Sequence, residues 1–311
     1  MSSKPLVSIG LPTYNRAATL RRAIESALNQ DYQNIELLIS DNASTDETEA
    51  ICLAAARQDN RVKYWRQQTN RGATANFREV LRESGGEFFM WLADDDWLDQ
   101  SYVGSCVQVL LEHPDYSLVC GVPRYFRAGE FVRDGEAIDL LQDNGGDRLL
   151  AHYAQVTDNG TFHGVMRRAQ ILGAPFRNTL GGDWLIVAAI AFMGKVKTLP
   201  DVYANRSLGG ATVSYEKLAT TLGLSSFAAN HPNLSIAGSA FSDIVWRSPV
   251  YSKSGFFNRL SLGCKVFAMV ARRGGLTFGQ LTREIAFVVM TKLLPASLVD
   301  KIHNRRRTAS G

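Results

Sequence analysis

Two hydrophobic periods alternate along the first 125 residues of the chain. Short runs of apolar or β-branched residues predict strands, and the segments between them carry apolar residues three and four positions apart, which predicts helices. Ser44-Thr-Asp-Glu47 predicts a capping box at the start of the second helix. This alternation is typical of βαβ units in a mostly parallel sheet covered on both faces. The predicted strands are Leu6–Leu11, Ile35–Ser40, Val62–Trp65, Phe88–Leu92 and Ser117–Val122.

The pattern changes after about residue 123. A hairpin that turns at Ala128-Gly129-Glu130, two further strands and one buried helix are predicted there, and from Ser214 the pattern is helical. These segments are, in the same order, Pro123–Val132, Thr161–Met166, Val196–Tyr203 and Asp183–Phe192. We therefore expect an α/β domain over residues 1–213, in halves 1–122 and 123–213, and a helical extension over residues 214–311.

Composition and charge narrow the class of protein. With 45% hydrophobic and 21% charged residues over 311 positions, the chain can bury a sizeable core. The formal net charge of +4 does not predict a nucleic-acid partner, but the charge is unevenly distributed. Residues 251–311 hold eleven Lys or Arg against two Asp or Glu, or +9, which leaves −5 for residues 1–250. The chain has an acidic body and a basic end.

Cysteine spacing and hydropathy indicate the cellular compartment in which the protein is expected. Cys52, Cys106, Cys120 and Cys264 show no CxxC spacing, which argues against a disulfide framework or a zinc site and favours a reducing cytoplasm. No signal-like apolar segment follows Met1, and no charge-free apolar stretch approaches the ~20 residues needed to cross a bilayer. We expect a cytoplasmic protein that is soluble or peripheral on the inner face of the cell membrane.

Polar side chains follow four of the predicted strands, at the point where each strand ends. Ligands of open α/β sheets bind in the crevice beyond the carboxyl ends of the strands, so these groups are expected to meet at one edge. A turn former or a surface charge explains each group alone, but four together predict a ligand crevice. The segments are Pro12-Thr13-Tyr14-Asn15-Arg16, Asp41-Asn42, Asn70-Arg71-Gly72 and Asp94-Asp95-Asp96.

The run Asp94-Asp95-Asp96 is the sharpest of these signals. Adjacent carboxylates in a confined site are tolerated when a divalent cation lies between them, and hard oxygen ligands suit Mg²⁺ or Mn²⁺. The alternative is a solvated acidic turn before a helix that begins near Asp99. The turn from Gly10 to Asn15 lacks the glycines of a dinucleotide fingerprint, and the sequence has no GxxxxGK[ST] loop.

Four ordered motifs over roughly residues 5–210 together resemble family 2 glycosyltransferases of GT-A fold. The resemblance implies a Rossmann-like, mostly parallel sheet with flanking helices. It also implies that a sugar moves with inversion from a nucleoside diphosphate, UDP- or dTDP-linked, to a hydroxyl of a glycan, polysaccharide or lipid-linked precursor of the cell envelope. The motifs are Pro12-Thr-Tyr-Asn15, Ser40-Asp-Asn-Ala-Ser-Thr-Asp46, Asn70-Arg-Gly72 and Leu92-Ala-Asp-Asp-Asp96.

The resemblance also implies roles for individual residues. Asp41 is expected to hydrogen-bond the pyrimidine base, through an edge that uracil and thymine share. Asp96 and Asp94 are expected to hold a divalent cation, Mn²⁺ or Mg²⁺, that bridges the diphosphate and stabilises the charge of the leaving group. The nucleotide-binding residues implied are Pro12, Thr13, Tyr14, Arg16, Asp41, Arg71, Asp94 and Asp95.

Gly181-Gly-Asp-Trp184 resembles a later acidic motif of the family, in which a carboxylate deprotonates the acceptor hydroxyl. Asp183 is the catalytic base implied, although Gly182 stands where a glutamate is commoner. The alternative for Asp183 is the N-cap of the following helix. Trp184 is expected to stack on a sugar or to fill the core.

A second departure from the family pattern lies in Tyr203-Ala-Asn-Arg-Ser-Leu-Gly-Gly210. Leu208 stands where many relatives have a histidine, which puts a histidine metal ligand from this loop in doubt. Arg206 is expected to neutralise phosphate. His163 is an alternative polar group near the acceptor, and Asp158 is the next carboxylate to test as a base.

The segment from residue 255 to residue 311 mixes apolar runs with Lys and Arg. Such basic amphipathic stretches suit an anionic membrane surface. The alternative is a helical extension that packs on the catalytic domain or on a second subunit. Two other functions stay open: a nucleotidyltransferase, which needs a basic glycine-rich loop after the first strand, and a non-catalytic module that binds sugar nucleotides or glycans.

Overall fold

A computed structural model describes residues 4–158, 160–209 and 214–275 of the chain. Within these ranges, nine strands form one sheet. The strands are β1 (Val7–Thr13), β2 (Ile35–Asp41), β3 (Val62–Arg66), β4 (Phe88–Trp91), β5 (Trp97–Leu98), β6 (Tyr116–Arg127), β7 (Glu130–Asp134), β8 (Val165–Arg167) and β9 (Lys195–Ser207).

The order of strands in the sheet is β3-β2-β1-β4-β8-β6-β9-β5, and β7 pairs with β6. The first four strands of the chain are parallel, as are β6 and β9, and the short β8 joins the two groups in antiparallel pairing. Thr13, the last residue of β1, is in register with Asp41, the last residue of β2. The α/β architecture with a mostly parallel sheet is confirmed, and the carboxyl ends of these strands lie at one edge.

Successive side chains of the strands enter two different hydrophobic cores, because they point to opposite faces of the sheet. The helices that cover these cores are α1 (Leu20–Leu28), α2 (Thr48–Gln58), α3 (Ala73–Arg82), α4 (Tyr102–Glu112), α5 (Gly145–Gln155), α6 (Arg168–Ile171), α7 (Gly182–Met193), α8 (Tyr215–Thr221), α9 (Ser226–Asn230), α10 (Pro232–Ser242) and α11 (Phe256–Arg272). Leu37 and Met90 belong to the core that α1, α2 and α4 cover, and Leu38 and Phe89 belong to the core that α3, α5 and α7 cover.

The predicted hairpin is present, and its turn explains the sequence there. Ala128 and Gly129 have φ angles of 51° and 86°, and a two-residue type I′ turn requires positive φ at both positions. The strand predicted at Thr161–Met166 is wrong in its first half. Gly160–His163 forms a 3₁₀ turn, and strand pairing begins only at Val165.

The helices after residue 214 share a core with the sheet. Phe241 of α10 and Phe267 of α11 belong to the same buried cluster as Trp91 of β4 and Ile190 of α7. The helical pattern predicted from Ser214 is found as far as α11, and residues 276–311 of the predicted basic end lie outside the described residues. In the part of the chain that the structure describes, no helix is long and apolar enough to span a bilayer.

Candidate active site

The turn that follows β1 is held in place by the segment that follows β2. Asn15 has a φ of 52°; its N–H donates to Ser44 Oγ at 2.9 Å, and its Oδ1 accepts from the N–H of Thr45 at 2.8 Å. The N–H of Arg16 donates to Thr48 Oγ1 at 2.9 Å. The turn predicted to bind nucleotide is therefore fixed against the end of the neighbouring strand.

The same contacts overturn the predicted capping box. Helix α2 begins at Thr48, and its N-cap, Glu47, makes no side-chain capping hydrogen bond. The hydroxyl of Ser44 is used by Asn15 instead, and Asp46 accepts from the N–H of Ala17 at 3.1 Å. Ser44 therefore holds the turn after β1, whereas Asp46 also accepts from the N–H of Thr48, the first residue of α2, at 3.0 Å.

Asp41 is fully buried at the end of β2. Its Oδ1 accepts from the N–H of Ser44 at 2.8 Å, its Oδ2 accepts from the Tyr64 hydroxyl at 3.2 Å, and Arg66 Nε lies 3.7 Å from Oδ2. Burial, and then the Asp41 carboxylate beside it, raise the pKa of Tyr64, which keeps this hydroxyl a donor. Because Asp41 is closed to solvent here, the base contact predicted for it requires movement of the side chains that cover it.

The loop after β3 is tied to the end of β2 by one amide side chain. Asn42 Oδ1 accepts from the N–H of Arg71, and Asn42 Nδ2 donates to Asn70 Oδ1, both at 2.8 Å. Gly72, with a φ of 82°, donates its N–H to the same Asn70 oxygen and precedes α3. The structure therefore brings together three strand ends that the sequence predicted to meet. The guanidinium of Arg71 lies 3.8 Å from Glu79 Oε2.

Asp94 follows β4 and lies against the turn after β1. Its Oδ1 is 3.4 Å from Arg16 Nε, and its side chain is 13% exposed. Burial, and then the carboxylate of Asp95, raise the pKa of Asp94 to about 7, although Thr13 and Arg16 oppose the shift. Tyr14, another predicted nucleotide-binding residue in the turn after β1, has a side chain that is 42% exposed.

The raised pKa of Asp94 predicts a pH-dependent stability. A carboxyl in an unfolded chain titrates near 4, so the folded protein favours the protonated form; this contribution is complete below pH ~4 and is lost as pH rises through about 7. Without nucleotide or divalent cation, we expect Asp94→Asn to raise Tm relative to the unsubstituted protein at about pH 8 and to change it little near pH 4. Thermal unfolding across this range measures the difference. A Tm difference independent of pH would contradict the prediction.

Asp96 is 5% exposed, and both of its oxygens are occupied by the end of β9. Arg206 Nε donates to Oδ2 at 2.9 Å, and the N–H of Ser207 donates to Oδ1 at 2.9 Å. Burial raises the pKa of Asp96, and Arg206 is the largest influence in the opposite direction. Arg206, predicted to neutralise phosphate, therefore neutralises a carboxylate of the acidic run in this structure.

Arg22 of α1 is a functional candidate that the sequence analysis missed. Its Nη2 donates to the carbonyl oxygen of Asp95 at 3.0 Å and to Ser207 Oγ at 3.1 Å, and its guanidinium lies 3.5 Å from the centre of the Trp97 ring. The same Ser207 hydroxyl donates to the Asp95 carbonyl at 2.7 Å. Helical spacing places Arg22 on the exposed side of α1, so the sequence pattern does not distinguish it from an ordinary surface arginine.

The carboxylates at this edge fit a divalent cation that takes its other ligands from a diphosphate. Asp94 lies beside Arg16, and Asp96 accepts from Arg206 and Ser207, but a carboxylate oxygen that accepts one hydrogen bond keeps a second lone pair. In the described ranges, no group of three or more His, Cys, Asp or Glu could hold a metal by itself. Mg²⁺ is commonly held by one or two carboxylates together with substrate phosphates. Asp94 and Asp96 are the residues that would hold it.

Asp183 lies in the first turn of α7, and the N-cap is Gly181, with a φ of 66°. The N-cap alternative for Asp183 is therefore wrong, although its Oδ1 does accept from the N–H of Trp184 at 3.0 Å. The loop before α7 contacts the nucleotide half, since Asn178 Oδ1 accepts from the Thr74 hydroxyl of α3 at 3.2 Å. The beginning of α7 is thus joined to the start of the helix that follows Gly72.

Trp184 is 8% exposed and packs in the core that α7 shares with the sheet. The guanidinium of Arg273 lies 5.7 Å from the centre of its ring. Its burial favours the packing alternative over stacking on a sugar.

His163 and Asp158 both interact electrostatically with Arg206, the partner of Asp96. His163 Nδ1 is 3.0 Å from the carbonyl oxygen of Trp91, and burial, followed by Arg206, lowers the pKa of this histidine well below its usual value. A neutral imidazole donates to a carbonyl from Nδ1, so His163 connects the end of β4 to the 3₁₀ turn. Asp158 Oδ1 accepts from the N–H of Gly160 at 2.8 Å.

Comparison with known proteins decides the family. Residues 8–172 match the family described as Glycosyl transferase family 2. The chain belongs to this family. The matched region runs from β1 to α6 and contains every predicted nucleotide residue of this family 2 chain, but it ends before Asp183.

Curated relatives of this family 2 chain are named as glycosyltransferases. GalNAc(5)-diNAcBac-PP-undecaprenol beta-1,3-glucosyltransferase of Campylobacter jejuni is 28% identical over 183 residues, which are 58% of this chain and 57% of the relative. Glycosyltransferase GlyA of Streptococcus pneumoniae is 30% identical over 107 residues, 34% of this chain and 15% of the relative. The matched part therefore spans little more than half of the first relative and much less of the second.

Solved structures share the fold over most of the chain. TarS of S. aureus in complex with UDP-GlcNAc has a TM-score of 0.53 and 18% identity, with 97% of this chain and 92% of that one covered. Mannosyltransferase PcManGT of Pyrobaculum calidifontis in complex with GDP-Man and Mn²⁺ has a TM-score of 0.52 and 15% identity, with coverage of 96% and 84%. The family 2 chain therefore has a GT-A-like fold.

Proposed function

We propose that this family 2 chain is a glycosyltransferase that moves a sugar, with inversion, from a UDP- or dTDP-linked donor to a hydroxyl acceptor. The observation that carries the proposal is the acidic run at the carboxyl end of β4, where Asp94, Asp95 and Asp96 are buried or half-buried among Arg16 and Arg206. Mixed charge of this kind suits a diphosphate, which needs cations, held with a metal, which needs carboxylates. Neighbouring structures in complex with UDP, UDP-GlcNAc and GDP-Man support a nucleotide-sugar donor.

In this proposal, different residues act on the diphosphate of the donor and on the hydroxyl of the acceptor. Asp94 and Asp96 would hold a divalent cation, which would neutralise charge that develops on the diphosphate. Arg16 and Arg206 supply positive charge at the same edge and orient those carboxylates. Asp183 accepts the proton of the acceptor hydroxyl. The oxygen of that hydroxyl bonds to the anomeric carbon while the bond from this carbon to the diphosphate oxygen breaks, and the diphosphate leaves with the electron pair. One displacement of this kind inverts the anomeric centre.

The acceptor we propose is a glycan or a lipid-linked precursor. The name of the Campylobacter jejuni relative begins with an undecaprenol-linked glycan, which supports this choice. The loop before α7 supports an acceptor position next to the nucleotide half, because Asn178 joins Thr74 of α3 to Leu222 at the end of α8.

Donor turnover tests the proposal directly. The purified chain is incubated with UDP-, dTDP- and GDP-sugars, with and without Mn²⁺ or Mg²⁺, and release of the nucleoside diphosphate is measured. We expect release from a uridine or thymidine donor that increases when the cation is added. If the chain binds donors but releases no nucleoside diphosphate, even when cell extracts that contain acceptors are added, the result would favour the non-catalytic module. Absence of both binding and release would remove the proposal.

A further inference from the structure

The solvent-facing side of α11 carries a stripe without a carboxylate. Phe257, Ser261, Lys265 and Arg272 are exposed, and their spacing of four and seven residues places them on one face of the helix, here called the α11 outer face. The opposite face packs against the rest of the protein. Its buried residues are Gly263, Val266, Phe267, Val270 and Ala271.

An exposed aromatic pair lies at the start of this stripe. Phe257 is 82% exposed and Phe256 is 43% exposed, and their ring centres are 5.8 Å apart. Lys253, three residues before Phe256, is exposed as well. Two adjacent aromatic rings exposed to water beside a cation are typical of an interaction surface, because packing within the chain leaves both rings at least partly uncovered.

The charge of this part of the chain has one sign. Residues 222–275, which follow α8 and its exposed Glu216, contain six Lys or Arg and one acidic residue, Asp243. Asp243 is 2% exposed and its Oδ1 lies 2.9 Å from Arg177 Nε, so its charge is compensated inside the protein. The C-terminal helices therefore present cations to solvent, and the surface complements an anionic partner.

We propose that the α11 outer face, together with Lys253 and Phe256, docks on the surface of an anionic phospholipid bilayer. Aromatic rings enter the boundary between headgroups and acyl chains, while Lys and Arg reach lipid phosphates with their stems along the apolar region. In a symmetric dimer through this face, each cationic stripe would meet its own copy and be repelled, which disfavours a second copy as the occupant. The docking surface goes beyond the proposed function.

The position of α11 gives docking a consequence for the site. Arg273, just after the helix, donates to the carbonyl oxygens of Val156 at 2.6 Å and Tyr153 at 2.7 Å, and its guanidinium lies over Trp184, the neighbour of Asp183. A docked α11 would hold the start of α7 near the membrane, where a lipid-linked acceptor is presented. This step rests on the proposed function, whereas the docking itself does not.

Vesicle flotation with the full chain tests the proposal without any turnover. We expect flotation with vesicles of phosphatidylcholine and phosphatidylglycerol, little flotation with phosphatidylcholine alone, and loss of flotation as salt is added. Lys265→Glu with Arg272→Glu, and separately Phe256→Ser with Phe257→Ser, should each lower the partition coefficient by about tenfold or more. Arg21→Glu with Arg57→Glu, which makes the same charge change at exposed positions of α1 and α2, is the matched control and should change it little.

Three outcomes would overturn the proposal. Flotation of both α11 variants like the unsubstituted chain would place any membrane contact elsewhere, and equal flotation with neutral vesicles would remove the role of charge. A dimer in sedimentation that the Phe256→Ser, Phe257→Ser variant loses, without vesicle binding, would assign the face to a second copy. Donor turnover in vesicle-free solution should be the same in all variants, so failure of the proposed function is recognised separately.

Discussion

Asp183→Asn is expected to lower kcat by about 10²-fold or more, the scale for removal of a positioned general base, with donor affinity nearly unchanged. Asparagine cannot take the proton of the acceptor hydroxyl, but its Oδ1 can still accept from the N–H of Trp184, as Asp183 does at 3.0 Å. The run that is proposed to bind the diphosphate lies on another element, after β4. Turnover at saturating acceptor and calorimetric titration with the nucleoside diphosphate measure the two quantities.

A matched variant separates this chemistry from helix stability. Loss of a negative charge from the first turn of a helix costs about 0.3–1 kcal/mol through the helix dipole. Asp147 occupies the first turn of α5 and is exposed, so Asp147→Asn has the same dipole cost with no role in transfer. Similar small decreases in Tm are expected for both variants, and a decrease in kcat only for Asp183→Asn. Full activity in Asp183→Asn would direct attention to Asp158 as the base.

Asp96→Ala is expected to abolish turnover nearly completely and to destabilise the fold by about 3 kcal/mol, at the low end for a broken buried ion pair. The guanidinium of Arg206, 2.9 Å from Asp96 Oδ2 with a side chain 12% exposed, loses a carboxylate partner in that variant, while Asp158 still attracts it. Asp96→Asn keeps acceptors for Arg206 and Ser207, so its Tm should be close to normal. Because a neutral amide is a poor ligand for a hard cation, Asp96→Asn should lose most Mn²⁺-dependent UDP binding.

A second ion pair supplies the control for Asp96. Asp243 is as buried as Asp96 and its Oδ1 lies 2.9 Å from Arg177 Nε, but the pair joins α10 to the loop before α7. Asp243→Ala should destabilise the fold by less than Asp96→Ala, because Arg177 is 36% exposed and stays solvated, and should leave the specific activity of the folded fraction nearly intact. Adding Arg206→Met to Asp96→Ala should restore part of the stability and none of the turnover. Normal Mn²⁺-dependent UDP binding by Asp96→Asn would place the cation elsewhere.

The sheet and its binding edge could be predicted because their signals are local. Phe88–Leu92 is a continuous apolar run that ends in charge, and such a run is a buried strand with a polar end wherever it occurs. Parallel strands then bring their carboxyl ends together, so Asn42 was expected near Asn70 and Arg71, and it hydrogen-bonds both. Strand boundaries moved by only one or two residues at β1 to β4.

The partners of the acidic run could not be predicted, because they come from distant parts of the chain. Arg206 and Ser207 are more than a hundred residues from Asp96, and no periodicity relates them. Arg22 lies on the exposed side of an amphipathic helix, where a functional guanidinium and a solvated one have the same sequence signal. Strand β5 has two residues, which is too short for any hydrophobic period to show.

The pairing of Asp96 with Arg206 also sets an order of events during synthesis. A nascent chain that has emerged as far as Val122 contains every predicted nucleotide residue, yet β9, which carries Arg206 and Ser207, has not been made. Non-local contacts of this kind form late in folding, since the intervening chain must first be closed into a loop. We therefore expect the acidic run to bind the proposed sugar-nucleotide donor only after β9 has joined the sheet. A nascent chain without β9 would then not bind a sugar nucleotide before it could transfer the sugar.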